Sequence, residues 1–449
     1  MKQTLRELAG MRTFLIIWFG QLISTLGSSL SSFALGIWIY EQTGEVTQFA
    51  LVLFSATLPA VILGPYAGLM ADRWNRRWLM ILSDTGSALA TMTIVVLLAQ
   101  GQLEAWHIYL SSAFTSVMAA IQSPALSATI PLIVPAEQLG RANGMGQIAR
   151  SLGQLIGPLL GGILLAVIGI QGVIMIDLIT FLVAVSSLLL IRFPSYAPRD
   201  PGEAGEPWWS AALAGWRYVL DRPGLLGLLI FFAAINFLLG SIEVLVTPLV
   251  LSFTTTEMLG LILFIGGLGM LCGSLVMSFW RGPVDPMHAI LLPQLIGGVC
   301  VAIFGINTSV LVLAVAAFIY FFGIPICDSY TMMVFQQKVA PEVQGRVFAV
   351  IGVVANIVLP VSYLVVSLLA DRVFEPLMQP GMPLAVQLGP LLGTGPGRGI
   401  GLLCAVAGML AVCATLLAYR YPPLRSLHRD LPDAVLPAPV LAPQQNNNA

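Results

Sequence analysis

Long apolar runs separated by short polar punctuation make up almost the whole chain. A backbone that crosses hydrocarbon must satisfy its own N–H and C=O groups, and a helix of about 20 apolar residues does so. Runs of that length recur at roughly 13–40, 46–71, 78–100, 105–131, 144–168, 170–193, 224–251, 257–280, 288–306, 309–335, 347–370 and 397–420. The pattern predicts an all-α membrane protein with twelve transmembrane helices. The split between the ninth and tenth rests on one turn, Gly305 to Ser309, because Asp328 is the only charge between Ala289 and Gln337. The first run is uncharged from Thr13 to Tyr40. That is longer than the apolar core of a signal peptide and lacks a cleavage site, so no cleavable leader is expected.

The basic residues give the spans a direction. Lys2, Arg6 and Arg12 precede the first span, and Arg73, Arg76 and Arg77 follow the second. Arg141, Arg192, Arg199, Arg217, Arg222, Arg281, Lys338, Arg346, Arg420, Arg425 and Arg429 fall in loops on the same side if there are twelve spans. The other side holds only Arg372 and Arg398, among Glu41, Glu45, Glu104, Glu257, Asp371 and Glu375. By the positive-inside bias both termini are expected in the cytoplasm of a plasma (inner) membrane protein. An odd number of spans would break the alternation.

The chain reads as two halves. Residues 1–12 are the cytoplasmic N-terminus, 13–193 the first six helices, 194–223 a linker, 224–420 the second six, and 421–449 a disordered cytoplasmic tail rich in Pro, Ala, Gln and Asn. The linker is the interior segment richest in Pro, Gly and charge, and Trp208, Trp209, Trp216 and Tyr218 suggest a short interfacial helix there. Glu137-Gln-Leu-Gly140-Arg141 recurs as Glu342-Val-Gln-Gly345-Arg346, at an offset of 205 residues. The same offset carries Gly68 onto Gly273 and Arg76 onto Arg281. Agreement between two separate loops implies a duplication, with a binding site near the midplane between the halves. The loop 371–398, with five prolines, reads as a partly ordered cap to which no chemistry is assigned.

Composition agrees with the pattern. Hydrophobic residues make up 57% of the 449 and charged residues 9%, against about 25% charged in a soluble domain. The net charge of −1 gives no basic field for nucleic acid. Cys272, Cys300, Cys327, Cys404 and Cys413 lie in apolar runs without a C-x-x-C pair and read as small buried hydrophobes. No metal site or other cofactor is expected. A Walker A loop is absent, since neither Lys2 nor Lys338 follows a glycine. His107, His288 and His428 stand apart, with no H-E-x-x-H, and no G-x-S-x-G occurs. An enzyme is therefore not expected. The expected partners are a small organic substrate and the lipid bilayer, and two halves that complete one cavity suggest a monomer.

Two motifs carry a mechanism. The loop after the second span reads Gly68-Leu-Met-Ala-Asp72-Arg73-Trp74-Asn75-Arg76-Arg77. It resembles the major facilitator superfamily signature G-x-x-x-D-R-x-G-R-R, departing from it only at Asn75, a residue type that tolerates φ > 0. The resemblance implies the major facilitator fold of two pseudo-symmetric six-helix halves. It also implies a gate, in which Asp72 faces the positive N-terminal end of the eleventh helix near Gly345, Arg346 and Val347 while the arginines fix the arrangement. The second copy has Met277 in place of the acid. In the fifth span, Gly153-Gln-Leu-Ile-Gly157-Pro158-Leu-Leu-Gly161-Gly162 is similar to a signature of exporters in that superfamily. Its glycines make a face for close helix contact, and Pro158 bends the helix. The pattern looks most like the drug:proton antiporter branch with macrolide efflux and siderophore (enterobactin) exporters. Better-known multidrug members carry an Arg in the fourth helix, which is lacking here, so the coupling residues cannot be copied across.

Five ionisable residues lie within spans, where an unpaired charge is costly. Asp84 and Arg150 lie about two turns from the basic side and could form a structural ion pair. Asp177 lies toward the outer end of the sixth span and is a further proton or substrate candidate, with a structural role as the alternative. Glu243 in the seventh span, with Asn236 on the same face, and Asp328 in the tenth are on helices that line the cavity in the resembled family. They are the leading proton or cationic-substrate candidates, with the proton gradient as the energy source. Gln21, Thr25, Ser28 and Ser32 form a polar stripe on the first span and, with Gln122 on the fourth, could bond a polar part of a substrate. An otherwise apolar, aromatic cavity suits export of a lipophilic or amphiphilic solute, a drug or a macrolide-like or siderophore-like metabolite. A lipid or lysolipid mover and a non-transporting membrane sensor are the alternatives.

Overall fold

The computed structural model describes residues 2–135, 138–191, 216–279, 285–339 and 341–425. Among these residues the chain is helical with no strand. The spans are α1 (Lys2–Thr43), α2 (Val46–Arg73), α3 (Arg76–Ala99) and α4 (Ala105–Ile133), followed by one helical trace, Leu139–Leu190. That trace breaks at Gly169, with φ 67° and ψ 177°. Only glycine adopts such a backbone without strain, so an uninterrupted apolar stretch becomes two antiparallel spans, α5 (139–168) and α6 (170–190).

In the second half α7 consists of Pro223–Gly240 and Ile242–Leu251, separated at Ser241. Then follow α8 (Thr256–Phe279), α9 (Pro286–Ile306), α10 (Val310–Lys338), α11 (Pro341–Leu369) and α12 (Arg398–Arg420). Twelve spans thus stand among the described residues, as the apolar runs predict. Between α11 and α12 lie a π turn, Ala370–Phe374, and short helices Glu375–Leu377 and Pro383–Leu392, so the expected cap is ordered. The expected linker lies mostly outside the described residues. Its visible end is a helical turn at 216–220, where the Arg222 guanidinium sits 3.6 Å from the centre of the Tyr218 ring. The tail beyond Arg425 also lies outside them.

Large apolar side chains stand on the surface, Phe279 at 86% exposure and Leu190 at 81%. In water such a surface would aggregate; lipid tails cover it at no cost. Within the first half α1 packs along α5 and α6, and α2 along α4. In the second, α8 packs along α10, and α9 along α12. The halves meet mainly through two helix pairs, α2 with α11 and α5 with α8. The end bearing the α2–α3, α4–α5 and α10–α11 loops is called the basic face below, and the other end the opposite face.

Candidate functional site

The basic-face loop after α2 is organised by its side chains. Asn75 does not take positive φ; it is extended, at φ −67° and ψ 111°. Its Oδ1 accepts N–H bonds from Arg77 at 3.0 Å and Trp78 at 3.4 Å, so it replaces the family's glycine as an N-cap for α3. Arg76 donates to the Ala128 carbonyl of α4 at 2.8 Å. Arg77 donates to the carbonyls of Leu188 at 3.3 Å and Leu189 at 2.9 Å, in the last turn of α6. The Arg77 guanidinium thus completes unpaired carbonyls at the C-terminus of α6, where the macrodipole is negative, while Arg76 ties α3 to α4 five residues before that helix ends. Gly68, Asp72 and Arg73 lie at the end of α2, and Gly345 and Arg346 in the first turns of α11. The side chains of Asp72 and Arg73 lie outside the description.

At the opposite face an acid of the second half holds a helix of the first. Asp371, in the π turn after α11, accepts N–H bonds from Val46 at 3.0 Å and Thr47 at 2.7 Å, and the Thr47 hydroxyl at 2.6 Å. Its carboxylate caps the positive N-terminus of α2. The Tyr40 hydroxyl of α1 also reaches the Pro248 carbonyl of α7, at 3.4 Å. Glu375 caps α12 by accepting the Ile400 N–H at 3.1 Å. The sequence placed both acids on this side without assigning them a role. Only the fold brings Asp371 to a helix start more than 300 residues away.

The exporter-like glycines serve two contacts at once. A Cβ on Gly153 would meet the Thr25 methyl at 3.2 Å, one on Gly157 the Ser29 Cβ at 2.8 Å, and one on Gly161 the Phe33 ring at 2.8 Å. This face lies against α1, and Ser29 donates to the Gly153 carbonyl at 2.8 Å. A Cβ on Gly162 would instead meet the Thr256 carbonyl at 2.8 Å, and one on Gly260 the Pro158 carbonyl at 2.7 Å. Pro158 therefore lies at the α5–α8 seam between the halves.

The acids of the first half are enclosed. Asp84 on α3 is 2% exposed. Gln21 donates to one of its oxygens at 2.9 Å and Gln122 to the other at 2.6 Å. Gln122 also reaches Gln21 Oε1, at 3.0 Å. The two amides expected to face a substrate thus bind a carboxylate. The side chain of Arg150, the expected ion-pair partner, lies outside the description. Thr25 bonds the Gln21 carbonyl in its own helix, at 2.7 Å. Asp177 on α6 is 3% exposed and accepts the Ser28 hydroxyl at 3.2 Å. The α1 stripe therefore faces helices behind it; only Ser32 is exposed.

The acids of the second half open onto space. Glu243 is the one exposed residue between Ser241 and Val250. It nevertheless lies within the bundle, since the buried Tyr363 of α11 donates its hydroxyl to Glu243 Oε2 at 2.5 Å. Asp328, also exposed, lines two adjoining cavities together with Asn236. The larger, about 320 Å³, lies toward the basic face and is walled by Phe232, Phe335, Phe348 and Ile351. The smaller, about 150 Å³, reaches Gln294 and Tyr320. Gln294 donates to Cys327 Sγ at 3.1 Å. Tyr320, Tyr363 and Gln294 escaped sequence reasoning because no local spacing ties them to the acids that the fold brings near them. A larger groove, about 720 Å³, lies between α1 and α6 among Leu15, Phe19, Leu182 and Leu190 and carries no acid.

The Major Facilitator Superfamily model matches residues 17–362. Macrolide efflux protein A of Streptococcus pyogenes is 25% identical over 376 residues, covering 80% of this chain and 90% of that one. The multidrug efflux pump Tap of Mycolicibacterium fortuitum is 23% identical over 366 residues, covering 80% and 89%. The enterobactin exporter EntS of Salmonella typhimurium is 27% identical over 315 residues, covering 65% and 73%. Among solved structures, a bacterial homolog of the human lysosomal transporter Spinster superposes with a TM-score of 0.69 at 15% identity, over 96% of this chain and 99% of that one.

Proposed function

The chain belongs to the Major Facilitator Superfamily, and from that premise we propose that it exports a lipophilic or amphiphilic organic solute by proton antiport. The observation that carries the reading is the pair of cavities shared by Asn236 and Asp328. Aromatic and aliphatic walls bind an apolar body without demanding hydrogen bonds. The carboxyl of Asp328 and the amide of Asn236 supply the few polar contacts that orient a cationic or polar group. Glu243, one helix segment further on and held by Tyr363, exchanges a proton as the cavity changes sides. Solute and proton compete for the same acidic environment, so loading one favours release of the other.

The gating follows from the two faces. The basic face is cytoplasmic, and both termini lie there. Asp371 on the N-terminus of α2 closes the outer face, and the loop signature assigns the inner seal to Asp72, whose side chain lies outside the description. The two seals are exclusive, and alternating access follows. Efflux by relatives that match over 80% of this chain supports the direction. The apolar groove between α1 and α6 favours a second reading, movement of a lipid or lysolipid along that flank. No cofactor enters either reading, and the chain works as a monomer.

Inverted vesicles with an imposed pH gradient test this, using a panel of lipophilic dyes and macrolides. Protein-dependent uptake that collapses with a protonophore and is lost in Glu243→Gln is expected. Full gradient-driven uptake by Glu243→Gln removes that residue from the mechanism. Movement of labelled lipid without a gradient favours the second reading.

A further inference from the structure

The acids that line the cavities do not account for Asp177. It is buried at the junction of α1, α3 and α6, away from both cavities. Its surroundings are hydroxyls. Ser28 donates to Oδ1 at 3.2 Å, and Ser31, Thr91 and Thr180 face the same carboxyl. Ser31 is 5% exposed, and its Oγ has no partner in hydrogen-bonding geometry. A cation to balance the acid is lacking on the helices around it. Lys, Arg and His are absent from 13–40 in α1, from 78–99 in α3 and from 170–190 in α6. Arg150 stands nineteen residues before the Gly169 turn and Asp177 eight residues after it, so their depths differ by about 16 Å. The other acid on these segments is Asp84, seven residues before Thr91 on α3 and engaged by Gln21 and Gln122.

A carboxylate in such a place is an unpaired charge in a medium that solvates it poorly, whereas a carboxylic acid is a neutral group that both donates and accepts. The acid can donate to the open Ser31 oxygen while accepting from Ser28. We propose that Asp177 is a proton-binding site of the first half, separate from the solute cavity, and that α1 senses whether it is loaded.

The geometry gives α1 that role. Gly27 allows α1 to lie directly on α6, for a Cβ there would meet Asp177 Oδ1 at 3.0 Å. Two residues to either side of Gly27, on another face of the same helix, Thr25 and Ser29 lie against Gly153 and Gly157 of α5, whose other side forms the seam with α8. When the proton is bound, α1 packs closed on a neutral group. When it leaves, the carboxylate needs water, which enters only if α1 withdraws, and the proton departs to that water. Movement of α1 then reaches the α5–α8 seam through the glycine contacts.

The test needs no transported solute, so its failure is distinct from failure of the export reading. Infrared difference spectra are recorded on the full-length protein in liposomes while pH is raised. The wild-type protein should lose C=O absorption of protonated carboxylic acids, and one carboxyl's share of that signal should be missing in Asp177→Asn but present in Asp328→Asn. Ser28→Ala should keep the band and shift its frequency, since one hydrogen bond to the group is gone. Should Asp177→Asn not fold, Ser28→Ala and Thr91→Val carry the test through the same shift. Identical spectra for wild type, Asp177→Asn and Ser28→Ala overturn the proposal. So does a band that responds to sodium and not to pH.

Discussion

Asp84 and Asp328 are both carboxyl groups within membrane spans, yet they sit in opposite surroundings. Asp84 is enclosed by the amides of Gln21 and Gln122, and nothing mobile can reach it without breaking those bonds. Asp328 faces two cavities, with aromatic rings around it. A buried acid whose oxygens are both engaged by amides holds helices together, whereas one that faces a cavity remains free to bind something else. Asp84 takes the first role and Asp328 the second. At the repeat offset of 205, Ser123 corresponds to Asp328 and Trp38 to Glu243, so the first half has no copy of the second half's acids. Duplication supplied the scaffold, and the chemistry diverged.

The strongest way to break this comparison is to remove an amide from Asp84. Gln122→Leu leaves one carboxylate oxygen buried without its donor, which costs about 1–3 kcal/mol. The thermal midpoint of the purified protein should fall by several degrees, while Asp328→Asn leaves it unchanged. Equal midpoints would mean that Asp84 is as free as Asp328. A smaller effect is expected at the opposite face. Asp371→Asn keeps the size of the group but weakens charge-assisted bonds worth about 1.5–3 kcal/mol. The balance between the two faces should move about 10-fold or more toward opening of the outer side. Spin-label distances between the start of α2 and the end of α11 should lengthen, and an unchanged distribution would remove Asp371 from the gate.

Much of the architecture was legible in the sequence because the bilayer imposes a length on each apolar run. The spans, their even number and the separation of α5 from α6 follow from that constraint and from one glycine. The turn at Ser241 within α7, where the backbone keeps helical angles of φ −61° and ψ −23°, was not legible, since the apolar run continues through it. Site residues were legible as types and not as partners. Asp84, Gln21 and Gln122 all stood out as polar groups in apolar helices. Their convergence depends on the packing of α1, α3 and α4, which no local spacing encodes. Asp371 looked like one more acid in a proline-rich loop, because a cap on a helix of the other half has no signature in either segment. Asn75 matched the family loop through a different physical device, its side chain capping α3 in place of the backbone freedom of glycine.

The most direct test of the contrast between Asp84 and Asp328 is the reaction of engineered cysteines with a water-soluble maleimide in inverted vesicles. In a background without the five native cysteines, Asp328→Cys and Asn236→Cys should label rapidly and be protected by a transported solute. Asp84→Cys should stay unlabelled until the protein is denatured. Labelling of Asp84→Cys as fast as that of Asp328→Cys, or no labelling of either cavity position, would contradict the account.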